Sequence, residues 1–197
     1  MTDFTMQTDA DGVATITWDT IGKSMNVMNQ QGFLDLDALI DQALADDAVK
    51  GIIITSGKDG TFAGGMDLNI IAKMKEAAGD NPAAGLMDGL MQCHAVLRKI
   101  ERGGMDDKNK GGKPIACAMQ GTGLGIGFEI PLSCHRIFVA DNPKAEIGLP
   151  EIMVGIFPGM GGTHTASPQD GRNGGLTIPS GREVKRPCQS ESGRPCR

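Results

Sequence analysis

The chain has 197 residues, 40% of them hydrophobic, and a formal net charge of -5. This length and composition are enough for one domain with a sizeable core, and they give no basic cluster before residue 163. Nucleic-acid binding is therefore disfavoured, because it relies on lysine and arginine to neutralise phosphates. No apolar run could span a membrane and no signal-peptide pattern opens the chain, so we expect a cytoplasmic protein with no membrane partner.

The first third of the chain alternates between strand and helix patterns. FTMQTD and GVATITW predict a hairpin around an Asp-Ala-Asp-Gly turn. Asn29 is expected to cap a helix that ends near Asp46, because apolar residues after it recur at helical spacing. GIIITSG (51–57) then predicts a fully buried strand.

The same order is repeated further along the chain. FAGGMDLNIIAKMK predicts entry into a helix, and a second helical pattern runs from about Ala83 to Arg102. PIACAMQ (114–120) predicts another buried strand, followed by a glycine-rich turn and an apolar helical run to Ala140. Repeated strand, glycine turn and helix predict an α/β fold, in which ligands bind where strands lead into helices.

Two glycine-rich turns, AGGMD (63–67) and GLGIGFE (123–129), each lie between a predicted strand and a predicted helix. Backbone N–H groups from two such turns could stabilise one developing oxyanion, although plain turn glycines would read the same way. Neither turn matches GxGxxG and neither carries a phosphate-loop lysine, so a nucleotide site is disfavoured. No zinc-like spacing of cysteine and histidine occurs, and we expect reduced buried thiols and no metal. The cysteines are Cys93, Cys117, Cys134, Cys188 and Cys196.

Glu129 and Glu151 both lie in strongly apolar stretches. A carboxylate in such surroundings is either paired or has a raised pKa, and a raised pKa suits general acid/base chemistry. A capping or ion-paired glutamate is the alternative, and Glu151 after Pro150 could simply begin a helix.

Three segments, FAGGMDL, GTGLGIGFEI and IGLPEIMVGIFPGMGGT, together resemble the signatures of the crotonase (enoyl-CoA hydratase/isomerase) superfamily. The resemblance covers about residues 3–163. The loop around ERGGMDDKNKGGKP and the wording ADNPKAEIGLPEIMVGIFPG are more similar to the hydratase half of a bacterial multifunctional β-oxidation protein. The resemblance to the superfamily implies a crotonase-like spiral of repeated β-β-α units over residues 1–163, incomplete at the C-terminus.

The resemblance implies a lyase that adds water to trans-2-enoyl-CoA, giving 3-hydroxyacyl-CoA in fatty acid β-oxidation. Met66 and Ile126 would supply oxyanion-binding backbone N–H groups, and Glu129 and Glu151 would flank the water, one as base and the other as acid. No cofactor is implied beyond the CoA of the substrate. The residues implied to contact substrate or CoA are Lys23, Asn26, Ala63, Gly64, Gly65, Asp67, Leu68, Gly125, Pro158 and Gly159.

Alternatives within the same resemblance are an enoyl-CoA isomerase, a 3-hydroxyacyl-CoA thioester hydrolase and a non-catalytic acyl-CoA-binding fragment. Ile126 departs from the family, which usually has glycine there, and a β-branched residue disfavours a positive φ. The resemblance implies a homo-oligomer or a multienzyme complex, against which the shortened C-terminus argues.

Residues 164–197 differ in kind from the rest. They carry six Lys/Arg against three Asp/Glu, a net charge of +3, and contain few large aliphatic residues. The family's expected helix after PGxGGT is absent, yet codons read one nucleotide later can encode an amphipathic helix and the expected ending. We therefore predict a non-homologous tail, disordered or frameshifted. Resequencing the locus tests this, and an intact frame encoding HTASPQDG in close relatives would contradict it.

Overall fold

The computed structural model describes residues 2–67, 69, 82–162 and 183–185. The helices are α1 (Gln30–Ala45), α2 (Pro82–Arg102) and α3 (Ile126–Ser133), with a 3₁₀ helix at Glu151–Val154. The strands are β1 (Phe4–Thr8), β2 (Val13–Trp18), β3 (Gly51–Ser56), β4 (Thr61–Ala63), β5 (Ile115–Met119), β6 (Thr122–Leu124), β7 (Arg136–Val139), β8 (Ile147–Gly148) and β9 (Glu183–Lys185).

Two sheets organise these elements. The larger has the strand order β1-β2-β3-β5-β7-β9, antiparallel at its two ends and parallel between β2 and β7. The smaller sheet, β4-β6-β8, is parallel throughout. Parallel strands joined through helices confirm the predicted α/β class.

The first elements form as their sequence predicts. β1 and β2 pair antiparallel, with Phe4 opposite Trp18. The side chain of Asn29 caps α1 by accepting a hydrogen bond of 2.8 Å from the Gly32 N–H. Ile52 and Ile54 of β3 are buried in the core, but Ile53 and Thr55 between and after them are half-buried, so the prediction of a fully buried strand is wrong for one face. The Trp18 ring stacks on Phe4 at a centroid distance of 5.3 Å.

The predicted helical run to Ala140 is wrong in its second half. α3 ends at Ser133, and the chain then forms β7, which pairs in parallel with β5. His135 joins the two strands, since its N–H donates to the Ile115 carbonyl and its Nδ1 accepts from the Ile115 N–H. A uniformly apolar run does not distinguish helix from strand, so pairing with a distant strand decides the structure here.

Some predictions fall wholly or mostly outside the described residues. The helix after Asp67 does so, and so does the tail at 164–197 except Glu183–Lys185, which pairs antiparallel with β7. The boundary at residue 163 stays a prediction. Cys93, Cys117 and Cys134 are buried with free thiols, whereas Cys188 and Cys196 lie outside the described residues. No helix in the described part of the chain has the length and apolar character to cross a membrane.

Candidate active site

The two glycine-rich turns meet side by side. β4 and β6 pair in parallel, with Ala63 opposite Gly123. α3 packs so closely on β4 that a β-carbon on Gly127 would come within 2.7 Å of the Ala63 β-carbon. A glycine at position 127 is therefore required for the turns to approach one another.

The Met66 N–H points away from the neighbouring strand. Met28 forms a parallel bridge with Met66 by donating to the Gly65 carbonyl and accepting from the Asp67 N–H. This pattern uses the groups on either side of Met66 and leaves its own N–H outside the ladder.

The Ile126 N–H begins α3, where backbone donors have no partner within the helix. Gly125 before it has a φ of +56°, so the unusual backbone conformation falls on glycine and not on Ile126. The expected conflict between a β-branched residue and a positive φ does not arise. Within the described residues, neither this N–H nor that of Met66 has a hydrogen-bond acceptor.

A cavity of about 730 Å³ is lined by Met66 and Ile126 and also by the two glutamates, Glu129 and Glu151. One end of the cavity, which we call the reaction end, is defined by these lining residues: Gly64, Gly65, Met66, Gly125, Ile126, Glu129, Pro150 and Glu151. Helices α1 and α2 form an apolar wall that includes Phe33, Leu90, Cys93 and Val96. Met153, Val154, Ile156 and Phe157 line a further side and are exposed. The shape and size suit a small organic ligand.

Glu129 is held from a distant part of the chain. Its Oε1 accepts hydrogen bonds from the N–H groups of Met160 at 2.9 Å and Gly162 at 3.0 Å, and the residue is only 3% exposed. Burial raises the pKa of the Glu129 carboxyl, the two N–H donors oppose the rise, and the charge of Glu151 adds to it.

Glu151 begins the 3₁₀ helix directly after Pro150. Its Oε2 is fully buried and has no hydrogen-bond partner among the described residues. Burial raises the pKa of this carboxyl as well, and a backbone hydrogen bond only partly opposes the rise. A buried carboxyl with an unpaired oxygen is suited to remain protonated and to donate a proton.

Four of the residues implied to contact substrate line the cavity, namely Gly64, Gly65, Gly125 and Gly159. Lys23 is exposed and lies outside the lining, and so does the half-buried Pro158. Ala63 is buried beneath the site, and Asp67 accepts from the Asn69 N–H at 2.9 Å. Leu68 lies outside the described residues.

Asn26 has a structural role in this conformation and does not line the cavity. It is fully buried, and its Oδ1 accepts from the Thr20 N–H at 2.8 Å. Its Nδ2 donates to the carbonyls of Trp18 at 2.9 Å and Phe62 at 2.8 Å. The amide thereby joins the loop after β2 to β4, behind the glycine turn.

Two groups of residues at the site escaped the sequence reasoning. Met160 and Gly162 orient Glu129 through their backbone, and the glycine pattern of PGMGG was the available signal. The α1 and α2 wall was also missed, although Phe33 and Asp37 on α1, and Cys93 and Val96 on α2, have the spacing of one helix face.

The sequence is similar to one known family and to several known proteins. A profile of the enoyl-CoA hydratase/isomerase family matches residues 8–173. The fatty acid oxidation complex subunit alpha of Idiomarina loihiensis is 34% identical over 183 residues, which are 92% of this chain and 24% of that protein. The Shewanella frigidimarina protein of the same name is 32% identical over 78% of this chain and 20% of its own length. The chain thus spans about a quarter or less of the relatives it matches.

Solved structures share the fold. An enoyl-CoA hydratase from Geobacillus kaustophilus superposes with a TM-score of 0.70 at 25% identity, covering 84% of this chain and 55% of that one. An enoyl-CoA hydratase from Thermoplasma volcanium gives a TM-score of 0.68 at 21% identity, over 84% and 58% of the two chains. The predicted crotonase-like fold is confirmed by this likeness.

Proposed function

Because the chain belongs to the enoyl-CoA hydratase/isomerase family, we propose that it adds water to trans-2-enoyl-CoA and yields 3-hydroxyacyl-CoA, as in fatty acid β-oxidation. One observation carries the proposal: two buried carboxyls with raised pKa values, Glu129 and Glu151, line a cavity that is also lined by two residues whose backbone N–H groups have no acceptor in the described part of the chain. Addition of water needs these four parts, namely a base, an acid and two oxyanion donors.

The thioester oxygen accepts hydrogen bonds from the N–H groups of Met66 and Ile126. These donors favour the enolate, because negative charge gathers on that oxygen as water attacks C3. The oxygen of water bonds to C3, and the electron pair of the C2–C3 double bond moves into the enolate. The thioester itself accepts the electrons, so we propose that no cofactor is needed beyond the CoA of the substrate.

Glu129 removes the proton of the attacking water, and Glu151 delivers a proton to C2. This division of roles is supported by the two N–H donors at Glu129, which favour its ionised form. It is also supported at Glu151, where no described residue donates to Oε2. After product leaves, solvent returns the proton from Glu129 to Glu151. The atoms of one water molecule are then accounted for in the 3-hydroxyacyl product.

The curated relatives are named as subunits of a fatty acid oxidation complex. We propose an acyl-CoA thioester as the ligand of this chain and assembly with other β-oxidation enzymes in the cytoplasm as its context. Co-purification of an acyl-CoA-metabolising enzyme with the tagged chain from its own cells would support the assembly, whereas recovery of the chain alone would contradict it.

The test is hydration of trans-2-butenoyl-CoA by the purified chain, followed as loss of ultraviolet absorbance. We expect turnover in the wild type and a decrease of about 10²–10⁴-fold in Glu129→Gln and in Glu151→Gln. Glu146→Gln is the matched control, since Glu146 is an exposed glutamate outside the cavity. Conversion of a 3-enoyl-CoA without hydration would favour an isomerase, and release of free CoA from 3-hydroxyacyl-CoA would favour a hydrolase. Binding of acyl-CoA without any turnover would favour a non-catalytic fragment.

A further inference from the structure

An ion cluster interrupts the apolar wall of the cavity. Lys99 on α2 and Asp37 on α1 both line the cavity, and their Nζ and Oδ1 atoms are 2.6 Å apart. Lys99 Nζ is also 2.7 Å from Asp41 Oδ1, which lies outside the lining. Burial lowers the pKa of the Lys99 ammonium, but hydrogen bonds and charges from the two aspartates outweigh it and raise the pKa above its usual value. The Lys99 ammonium therefore keeps its charge at neutral pH beside the two aspartates.

The position of this cluster along the cavity follows from α1. Met28, two residues before α1, is bridged to Met66, so the Gln30 end of the helix lies at the reaction end of the cavity. The cavity-lining face of α1 then runs from Gln30 through Phe33 to Asp37. Seven residues of helix rise by about 10 Å, so the cluster lies about that far from the reaction end.

The distance can be expressed as acyl carbons. An extended alkyl chain advances by about 1.25 Å per carbon, from a bond of ~1.5 Å and an angle of ~111°. About eight carbons therefore reach from the reaction end to the cluster. Up to that point an acyl chain packs on Phe33, Leu90, Cys93 and Val96, and each buried methylene adds affinity.

Resting on the function proposed above, we propose that the Asp37–Lys99–Asp41 cluster is the specificity determinant that sets the acyl chain length at about eight carbons. A longer apolar acyl chain would have to displace water from the charged groups of Asp37 and Lys99, which cancels the gain from its additional methylenes. An acyl chain that carries an uncharged hydrogen-bond donor at about its eighth carbon would still bind, because the aspartate oxygens can accept its hydrogen bond.

The experiment is calorimetric binding of saturated acyl-CoA probes, which do not react. In the wild type we expect Kd to fall at least tenfold from butanoyl-CoA to octanoyl-CoA and less than threefold from octanoyl-CoA to dodecanoyl-CoA. In Asp37→Leu/Lys99→Leu, in which the apolar wall continues, we expect dodecanoyl-CoA to bind at least tenfold more tightly than octanoyl-CoA. Asp41 is left unchanged in this variant, because its side chain is 59% exposed in the wild type and can remain hydrated.

Arg98→Leu/Glu101→Leu is the matched control, because it removes an ion pair of the same helix that lies outside the cavity. In this control we expect the wild-type plateau, that is, a Kd that falls less than threefold from octanoyl-CoA to dodecanoyl-CoA. If the Asp37/Lys99 variant fails to fold, the affinity of the wild type for 8-hydroxyoctanoyl-CoA provides the test instead. Binding within threefold of octanoyl-CoA supports the cluster as the contact, and a tenfold loss overturns it.

Other outcomes separate this inference from the proposed function. If the affinity of the wild type continues to rise through dodecanoyl-CoA, the inference alone is overturned. The acyl chain would then leave the cavity past its exposed side at Met153 and Phe157 and not reach the cluster. A folded Asp37/Lys99 variant that keeps the plateau also overturns the inference alone. If butanoyl-CoA and octanoyl-CoA both fail to bind the wild type, the proposed function is contradicted, and the inference with it.

Discussion

The carboxylate of Glu151 lies against the α-carbon of Gly125. A β-carbon at Gly125 would come within 3.1 Å of Glu151 Oε1, a separation tighter than ordinary van der Waals contact. The same glycine has a φ of +56° and is the N-cap of α3, immediately before the Ile126 N–H. One residue without a side chain therefore makes room for the proposed acid and sets the direction of a proposed oxyanion donor.

Gly125→Ala should damage the site more than it damages the fold. We expect a loss of roughly 1–3 kcal/mol in the free energy of unfolding from backbone strain, and a fall of at least tenfold in kcat because Glu151 must move. Urea denaturation and butenoyl-CoA hydration measure the two effects. Gly155→Ala is the control: Gly155 has a φ of +76°, but a β-carbon there meets nothing within 4 Å, so kcat should change little. Equal losses of kcat in both variants would contradict the contact with Glu151.

The two carboxyls should titrate as neighbours. The charge of Glu151 raises the pKa of Glu129, so Glu151→Gln should lower the pKa of Glu129 toward its ordinary range. Carbon-13 NMR of labelled glutamate carboxyls measures this directly. Glu146→Gln should leave the Glu129 titration unchanged, and an unchanged pKa in Glu151→Gln would show that the two groups are not coupled.

Stability should depend on pH in the direction set by these buried carboxyls. Their folded-state pKa values are raised above the ordinary 4.5, so the folded state binds more protons than the unfolded state above that pH. Their contribution to stability is fully present below about pH 4.5, the ordinary pKa of a glutamate, and is lost as pH rises through the raised pKa values.

Removing one ionisable group should therefore weaken this loss. We expect the Tm of Glu151→Gln, relative to wild type, to be higher at pH 8 than at pH 4, as measured by circular dichroism. Glu146→Gln provides the baseline for a glutamate on the surface. A Tm of Glu151→Gln that is lower, relative to wild type, at pH 8 than at pH 4 would contradict the raised pKa.

Asn26→Ala should destabilise the fold without weakening CoA binding directly. The substitution leaves the Thr20 N–H and the carbonyls of Trp18 and Phe62 without their buried partner, at a cost of about 3 kcal/mol. Asn142→Ala removes two long contacts of 3.4 and 3.5 Å and one exposed hydrogen bond of 3.0 Å from the Lys144 N–H, and should cost about 1 kcal/mol. Urea denaturation gives both values. A raised KM at unchanged stability would instead restore Asn26 as a CoA contact.

The sequence predicted those parts of the fold that local chemistry decides. The hairpin and the Asn29 cap depend on neighbours within a few residues, and both form as expected. β7 was missed because RIFV continues an apolar run and becomes a strand only by pairing with β5. The short strands β4, β6 and β8 likewise depend on one another, since two or three residues carry no usable periodicity.

The site shows the same division between local and distant causes. Glu129 and Glu151 could be proposed from the aliphatic residues beside them, and both prove buried. The buried hydrogen bonds of Asn26 could not be predicted, because its four partners lie 6 to 36 residues away along the chain. The donors to Glu129 are 31 and 33 residues away, beyond the reach of any local pattern.

Those two donors also set an order of events during synthesis. The ribosome completes Glu129 and the rest of α3 before it adds Met160 and Gly162. A nascent chain that has reached residue 155 already contains both glutamates, yet it lacks the amides that orient the first of them. Both donors can therefore hold the Glu129 carboxylate only once translation has passed Gly162, and a shorter nascent chain carries this carboxylate without them.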